Sequence, residues 1–406
     1  MAHGPEMSLS PEMNRMTEQT DFVREIQREV DDLAEALIEL SQRIHANPEV
    51  GLQEEKASRW CSELLRSEGF EVRSPVAGMA TAFRGRKGSG RPAVSFLAEY
   101  DALPGVGHAC GHNIIAASAL GAGMALARAL ETAGLSATVF VDGTPAEETV
   151  GGKIPMVAEG LYRDVDAVLS MHPDTRNSVG GTCLAVKSLI FSFHGKAAHA
   201  AAEPDRGVNA LNAVIQTFNN INALRQHVRP DVRIHGIITH GGRASNIVPD
   251  FAQADISVRS SDLTYHTEVL ERTRNCARAA ALATGATLEI EEEPTFEPTR
   301  ENRTLTRLTL EAMAELGCPG DDATGRSQSA STDFGNVSQV VPAVAPAFKI
   351  GPAGVVCHHQ DFAEAAASAE GDRSILVAAK VMAMVAARLI QNRDLLDAAW
   401  RDFRGS

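Results

Sequence analysis

Positive charge is in short supply here: 38 Lys and Arg stand against 52 Asp and Glu, a formal net charge of −14. That balance argues against nucleic acid or an anionic membrane as the main partner. Cysteine is sparse as well. Its six positions (61, 110, 183, 276, 318 and 357) lack the spacing of a disulfide framework, which fits a reducing, cytoplasmic compartment. Unbroken hydrophobic runs are missing too. Ile114 to Leu130 is mostly Ala and Gly with Arg128 inside it, and Ile375 to Ile390 holds Lys380 and Arg388, so both read as buried helices rather than membrane spans. The first residues, MAHGPEMSLSPEMNRM, have neither the basic nor the apolar region of a signal peptide, and residues 1–20 are expected to form a disordered tail. No internal repeat or low-complexity linker interrupts the chain, so any domain junctions are tight.

What remains is an ordinary globular composition, 44% apolar and 22% charged, on a chain of 406 residues. That length exceeds one typical core, so two domains are expected. The stretch around which the rest is organised runs from Val94 to Asn113. A short apolar run, Val94 to Ala98, has the pattern of a strand buried on both faces. A turn-rich segment with Asp101, Pro104, Gly105 and Gly107 follows, and His108-Ala-Cys110-Gly-His112-Asn113 then leads into a small-residue helix. Metal-competent side chains thus gather at the carboxyl end of a core strand, where open α/β sheets place their chemistry. A thiolate with imidazoles suits a borderline divalent cation such as Zn²⁺.

The apolar positions Val23, Ile26, Val30, Leu33, Leu37, Leu40 and Ile44 predict one helix, ending near Pro48. A second helix is expected over Glu54 to Glu68. Strands are expected at Phe70–Val72, Thr81–Arg84, Ala93–Ala98, Ala137–Val141 and Val165–Met171. The last two run into Glu147-Glu148 and His172-Pro173-Asp174, so three strand ends each deliver metal or acid/base residues. From Lys187 the pattern changes to a βαββαβ unit with its own sheet, ending with a strand at Thr287–Ile290. The first type of pattern resumes after Pro298, with a helix at Leu305–Leu316, a strand at Ala343–Ile350, Cys357-His358-His359 and a long closing helix. The fold class is therefore α/β: a catalytic domain on a central mixed sheet (21–186 and 298–406) carrying an inserted α+β lid or dimerisation domain (187–297).

These residues resemble the M20 family of metallopeptidases and amidohydrolases over about residues 22–392. The resemblance rests on Asp101-Ala-Leu-Pro104 with His108-Ala-Cys-Gly-His112, the Glu147-Glu148 pair, Met171-His172-Pro173, Gly195-Lys-Ala-Ala-His199-Ala, Gly241-Gly-x-x-x-Asn246-Ile-Val-Pro249 and the late His358. The Cys-containing HACGH form is similar to a branch with aminoacyl-amide and auxin-conjugate hydrolases. Within it, the run Asp101 to Asn113 and Ser331-Thr-Asp-Phe-Gly-Asn-Val-Ser338 are similar to unusual dipeptidases and p-aminobenzoyl-glutamate hydrolases. Asn113 departs from the hippurate-hydrolase type, which carries Asp there.

The resemblance implies two divalent metal ions, Zn²⁺ or Mn²⁺, held by Cys110, His112, Glu148, His172 and His358, with His359 the competitor for the last place. It implies Glu147 as the general base and Asp101 as the carboxylate that orients a ligand. On the lid it points to His199, Asn209, Asn246 and Arg259 as substrate contacts, and to a homodimer formed through that domain. The expected activity is metal-dependent cleavage of the amide of an N-acyl or aminoacyl amino acid or unusual dipeptide, a small-molecule substrate. The alternatives are a p-aminobenzoyl-glutamate hydrolase or a non-catalytic metal-binding member of the fold. A zinc deaminase needs a His-x-Glu together with a Pro-Cys-x-x-Cys, and the sequence has no Pro-Cys-x-x-Cys.

Overall fold

The computed structural model describes residues 11–328 and 330–405. The first ten residues of the expected tail lie outside that range, whereas residues 11–20 form the opening turns of a helix, Pro11–Asp32. The single helix expected from Val23 to Ile44 is two, Pro11–Asp32 and Ala34–His45, with a turn at Leu33. Main-chain bonds run through the turn, from Leu33 N–H to Glu29 O (3.2 Å) and from Leu37 N–H to Leu33 O (3.0 Å). The 3.6-residue stripe therefore continues across it, and Ile26, Val30, Leu33, Leu37, Leu40 and Ile44 are all buried.

The chain forms two compact units, one of residues up to Gly181 with Arg300–Arg326 and Val337–Ser406, the other of Thr182–Thr299 with Ser327–Asn336. The second takes in Ser327–Asn336, a stretch that the sequence pattern assigns to the closing part of the catalytic domain.

The first unit is built on a six-stranded mixed sheet, in spatial order Glu71–Arg73, Phe83–Gly88, Thr138–Gly143, Ala93–Ala98, Ala167–Leu169 and Ala343–Val344. Every residue of Ala93–Ala98 is buried, and this strand runs parallel to both its neighbours. The helix His112–Ala133 packs on the sheet and against the long helix Ala369–Gln391, which a further helix, Arg393–Gly405, follows. Its small residues are needed for that closeness. A Cβ on Gly121 would come within 2.6 Å of Leu37 Cδ1, and one on Gly123 within 2.3 Å of Val141 Cγ2. By length and composition either helix could cross a membrane, yet both are largely buried in this core.

A second, four-stranded sheet has the order Asp321–Asp322, Ser178–Val179, Ala347–Lys349, His172–Asp174. It arises because the expected strand Ala343–Ile350 divides and because the residues just past the expected Val165–Met171 form a further strand. Ala167–Leu169 pairs with Ala343–Val344 in the large sheet, while His172–Asp174 pairs with Ala347–Lys349 in the small one. Pro346 has no N–H to donate to a continuous ladder, although its carbonyl accepts from His172 N–H at 2.9 Å.

The second unit has the element order Ala185–His194, Ala210–Arg225, Arg233–His240, Phe251–Ser260, Leu263–Thr284, Thr287–Glu292. Its four strands form an antiparallel sheet ordered Thr287–Glu292, Ala185–His194, Phe251–Ser260, Arg233–His240. Phe251–Ser260 alternates buried and half-buried residues along its length, the period of a strand covered on one face. Leu189, Phe191, Phe193, Val214, Ile256 and Val269 form a core of its own.

Candidate metal centre

The loop after Ala93–Ala98 turns through Gly105 and Gly107, both at positive φ. It reaches Gly111, whose φ of 74° puts it in the left-handed region. A Cβ at Gly111 would sit 2.7 Å from Pro173 Cγ, so only glycine lets this loop lie against His172-Pro173. The result is a separation of 3.3 Å between Cys110 Sγ and His172 Nε2.

Glu147 and Glu148 follow the strand Thr138–Gly143. Ala146, just ahead of them, holds a φ of 59°, an unfavourable conformation for a residue with a Cβ. Glu54 braces it: its carboxylate accepts the Ala146 N–H at 2.8 Å and the Thr81 hydroxyl at 2.9 Å. His358 also has a positive φ, 69°, and its N–H donates to Ala109 O at 2.8 Å, tying the late segment beside Cys110. His358 Nε2 lies 3.3 Å from Glu148 Oε1. His359 is instead the residue preceding the helix Gln360–Ala366 and belongs to none of the donor groups below.

Among the described residues, three groups bring their donor atoms within 4.8 Å of one another: Cys110 with His112 and His172, His112 with Glu147 and Glu148, and Cys110 with Cys357 and His358. Within them, His112 Nε2 and Glu148 Oε1 are buried and make no hydrogen bond. Buried polar atoms are rarely left so, and adjacent donors of S, N and O type are what a divalent cation satisfies. The donor set fits a metal centre.

Around it the charges are arranged to hold His112. Its Nδ1 lies 2.8 Å from Asp101 Oδ1, while Asp101 Oδ2 accepts the Glu148 N–H at 3.0 Å. One carboxylate thus fixes both a ligand ring and the backbone of the acidic loop. Burial works to raise the Asp101 pKa, but the charge and hydrogen bond of His112 outweigh it and hold the carboxyl below its usual range. Burial likewise works against the His112 cation, and Asp101, Glu99 and Glu148 overcome it, pushing that imidazole well up. His172 goes the other way, pulled down by burial. Glu99 lies 3.4 Å from His112 Nε2 and is paired on its other side with Lys153 Nζ at 2.8 Å. Both partners of that pair are buried. Burial disfavours the Glu99 anion, yet Lys153 and His112 keep its pKa below normal.

The second unit carries the four lid residues. His199 is exposed, and its Nδ1 accepts the N–H groups of Ala201 and Ala202 at 3.3 and 3.1 Å. Asn209 caps the helix Ala210–Arg225, accepting the Asn212 N–H at 3.1 Å. Asn246 accepts the Ala200 N–H on its main-chain carbonyl at 2.9 Å. With Ala210 N–H on Pro249 O, these contacts gather His199, Asn209 and Asn246 at one end of the unit. Arg259 is not among them. It stands near the other end of Phe251–Ser260, eight residues along the strand, roughly 27 Å away at the usual rise. Its Nη1 donates to Ser331 Oγ at 2.9 Å.

Sequence pattern does not single out Lys153 or Glu54. Lys153 is a lone charged residue at a short helix start, Glu54 opens the charged run Glu54-Glu55-Lys56, and neither has spacing that marks it as buried. Cys357 reads from sequence as a packed thiol, and its neighbour His358 is the only signal for it.

A thiol–imidazole–carboxylate cluster with a second glutamate alongside is the equipment of a metal-assisted hydrolase. Residues 95–388 match the profile of peptidase family M20/M25/M40. The mouse Xaa-Arg dipeptidase is 38% identical over 395 residues, covering 92% of this chain and 90% of that protein. A p-aminobenzoyl-glutamate hydrolase polypeptide of Escherichia coli K12 is 33% identical, over 73% of this chain and 66% of its own length. Among solved structures, a dinuclear metal binding peptidase of the M20 family from Bacillus subtilis superposes with a TM-score of 0.67 at 22% identity, covering 89% of this chain and 99% of its own. An aminobenzoyl-glutamate utilization protein from Klebsiella pneumoniae gives 0.70 at 20%, over 89% and 98%. The chain belongs to peptidase family M20/M25/M40 and is a metal-dependent hydrolase of amide bonds.

Proposed function

We propose that this protein hydrolyses the amide bond of an aminoacyl or N-acyl amino acid, with a dipeptide as the leading substrate class. The observation that carries the reading is the cluster of Cys110, His112, Glu148, His172 and His358 donors, two of whose atoms are buried without a hydrogen bond. These five side chains would hold two divalent ions, which supply Lewis acidity and lower the pKa of a bound water. Asp101 fixes His112 through Nδ1, leaving Nε2 directed at the cluster. Glu147, in the same group as His112 and Glu148, takes the proton from the attacking water and passes it to the leaving nitrogen. That transfer is worth roughly 10²–10⁴-fold.

The thiolate of Cys110 favours Zn²⁺ over Mn²⁺ on softness. The dipeptide class is supported by the mouse relative, named for cleaving Xaa-Arg dipeptides, and the E. coli relative supports p-aminobenzoyl-glutamate as the second reading. On the lid, His199, Asn209 and Asn246 contact the substrate from one end of that unit, and Arg259 does so from a separate position, its guanidinium pairing with a substrate carboxylate. Homodimerisation through the lid is supported by its edge strand Arg233–His240, where Ile237 and Ile238 are exposed, and by Leu282, 87% exposed. A reducing, cytoplasmic setting is supported by six free thiols.

The test is a turnover screen of protein stripped of metal and reloaded with Zn²⁺ or Mn²⁺, over dipeptides with basic C-terminal residues, N-acyl amino acids and p-aminobenzoyl-glutamate. Glu147→Gln should abolish turnover while retaining the bound ions. Undiminished turnover in that variant refutes the base assignment.

A further inference from the structure

Cys357 has no part in the scheme above, yet it stands inside the cluster. Its Sγ is 3.6 Å from Cys110 Sγ, and both sulfurs lie within 4.8 Å of a ring nitrogen of His358. Two main-chain anchors hold this arrangement: His358 N–H to Ala109 O at 2.8 Å, and Cys357 Sγ against the same carbonyl at 3.7 Å. Two thiolates bound at about 2.3 Å to one tetrahedral ion are roughly 3.8 Å apart. The observed separation is within a few tenths of an ångström of that edge and well beyond the roughly 2.0 Å of a disulfide. The sulfurs are therefore spaced to share a cation without rearrangement.

Resting on the metal centre proposed above, we propose that Cys357 is a sixth protein donor: a second thiolate on the ion held by Cys110 and His358, making that position selective for a thiophilic divalent metal. Two thiols that bind as thiolates release two protons, and their two negative charges balance the dication. The two ion positions then differ in kind. One is rich in sulfur; the other, drawn from His112 and Glu148 with the base Glu147 beside them, offers nitrogen and oxygen and suits harder ions. Cys110 stands also in the group with His112 and His172, and His112 in the group with Glu148, so the two positions are joined through shared donors. Cys357 is exposed, so replacing it removes a donor without opening the core.

The experiment loads metal-free full-length protein with Co²⁺ under reductant and reads the near-ultraviolet sulfur-to-cobalt charge-transfer absorption together with the number of ions bound. Cys357→Ser and Cys357→Ala should each lose about half of the wild-type band while binding the same number of Co²⁺ ions. In competition, Cys357→Ser should lower the preference for Zn²⁺ over Mn²⁺ by at least about tenfold. A band unchanged in both Cys357 variants but diminished in Cys110→Ser overturns this proposal and leaves the five-donor centre standing. Absence of any thiolate band in the wild type overturns both.

Discussion

Lys153 is the residue whose replacement tests the electrostatic account of the centre most directly. Its ammonium is fully buried and 2.8 Å from Glu99 Oε1, and the other Glu99 oxygen is 3.4 Å from His112 Nε2. Lys153→Met keeps most of the side-chain volume and removes the charge, stranding a buried carboxylate. Breaking a buried ion pair from one side costs about 3–5 kcal/mol, whereas replacing both partners with neutral groups is close to neutral. The single variant should therefore lower the melting temperature of metal-free protein by roughly 6–12 °C. Glu99→Gln combined with Lys153→Met should recover most of that loss. Scanning calorimetry of chelator-treated protein at neutral pH, with both single variants and the double, gives the complete cycle. A loss below about 1 kcal/mol in Lys153→Met, or a double variant no more stable than the single, would refute the argument that Glu99 is held ionised by Lys153.

Two further predictions concern the same region. Asp101→Asn leaves a neutral partner on His112 Nδ1 and should weaken metal binding by about 10–100-fold, measured by competition with a chromophoric chelator; unchanged affinity would show that the carboxylate does not tune the ligand. His108 is buried, and burial together with the charges of His112 and His45 lowers its pKa to about 3. Because the folded value lies below the unfolded one, the unfolded chain binds the extra proton between these pH values. The neutral ring's stabilisation is therefore complete above about pH 6.5 and is lost as pH falls, at about 1.4 kcal/mol per unit. Between pH 7 and 5, urea denaturation of metal-free His108→Gln should show a stability loss about 2 kcal/mol smaller than that of wild type; parallel losses would sink the assignment.

The parts of this molecule legible in the sequence are those written in short-range pattern. The buried strand Ala93–Ala98 can be read to the residue, because six apolar or small residues bounded by turn signals leave little choice. The βαββαβ order of the inserted unit follows from alternation along Phe251–Ser260 and similar runs. Where pattern fails, the deciding interaction is long-range or stereochemical. Ala343–Ile350 looks like a single strand and Val165–Met171 like one that stops before His172, and only the pairing shows the first serving two sheets and the second followed by His172–Asp174. The brace of Glu54 on Ala146 spans 92 positions, so no local window could display it. Chemical type alone groups Arg259 with three lid residues, whereas strand length sets it apart.

The donors of the metal centre lie on both sides of the inserted unit in the chain, with His172 ahead of Thr182–Thr299 and Cys357 and His358 beyond it. During synthesis the ribosome makes five of the seven acidic, imidazole and thiol groups early and then spends well over a hundred codons on the lid before the last two emerge. A fragment cut short in that interval has the strands Ala93–Ala98 and Thr138–Gly143 but lacks the last two donor side chains. With the proposed ligand set, metal loading waits on His358, and hydrolytic capacity is withheld from any product cut short before it.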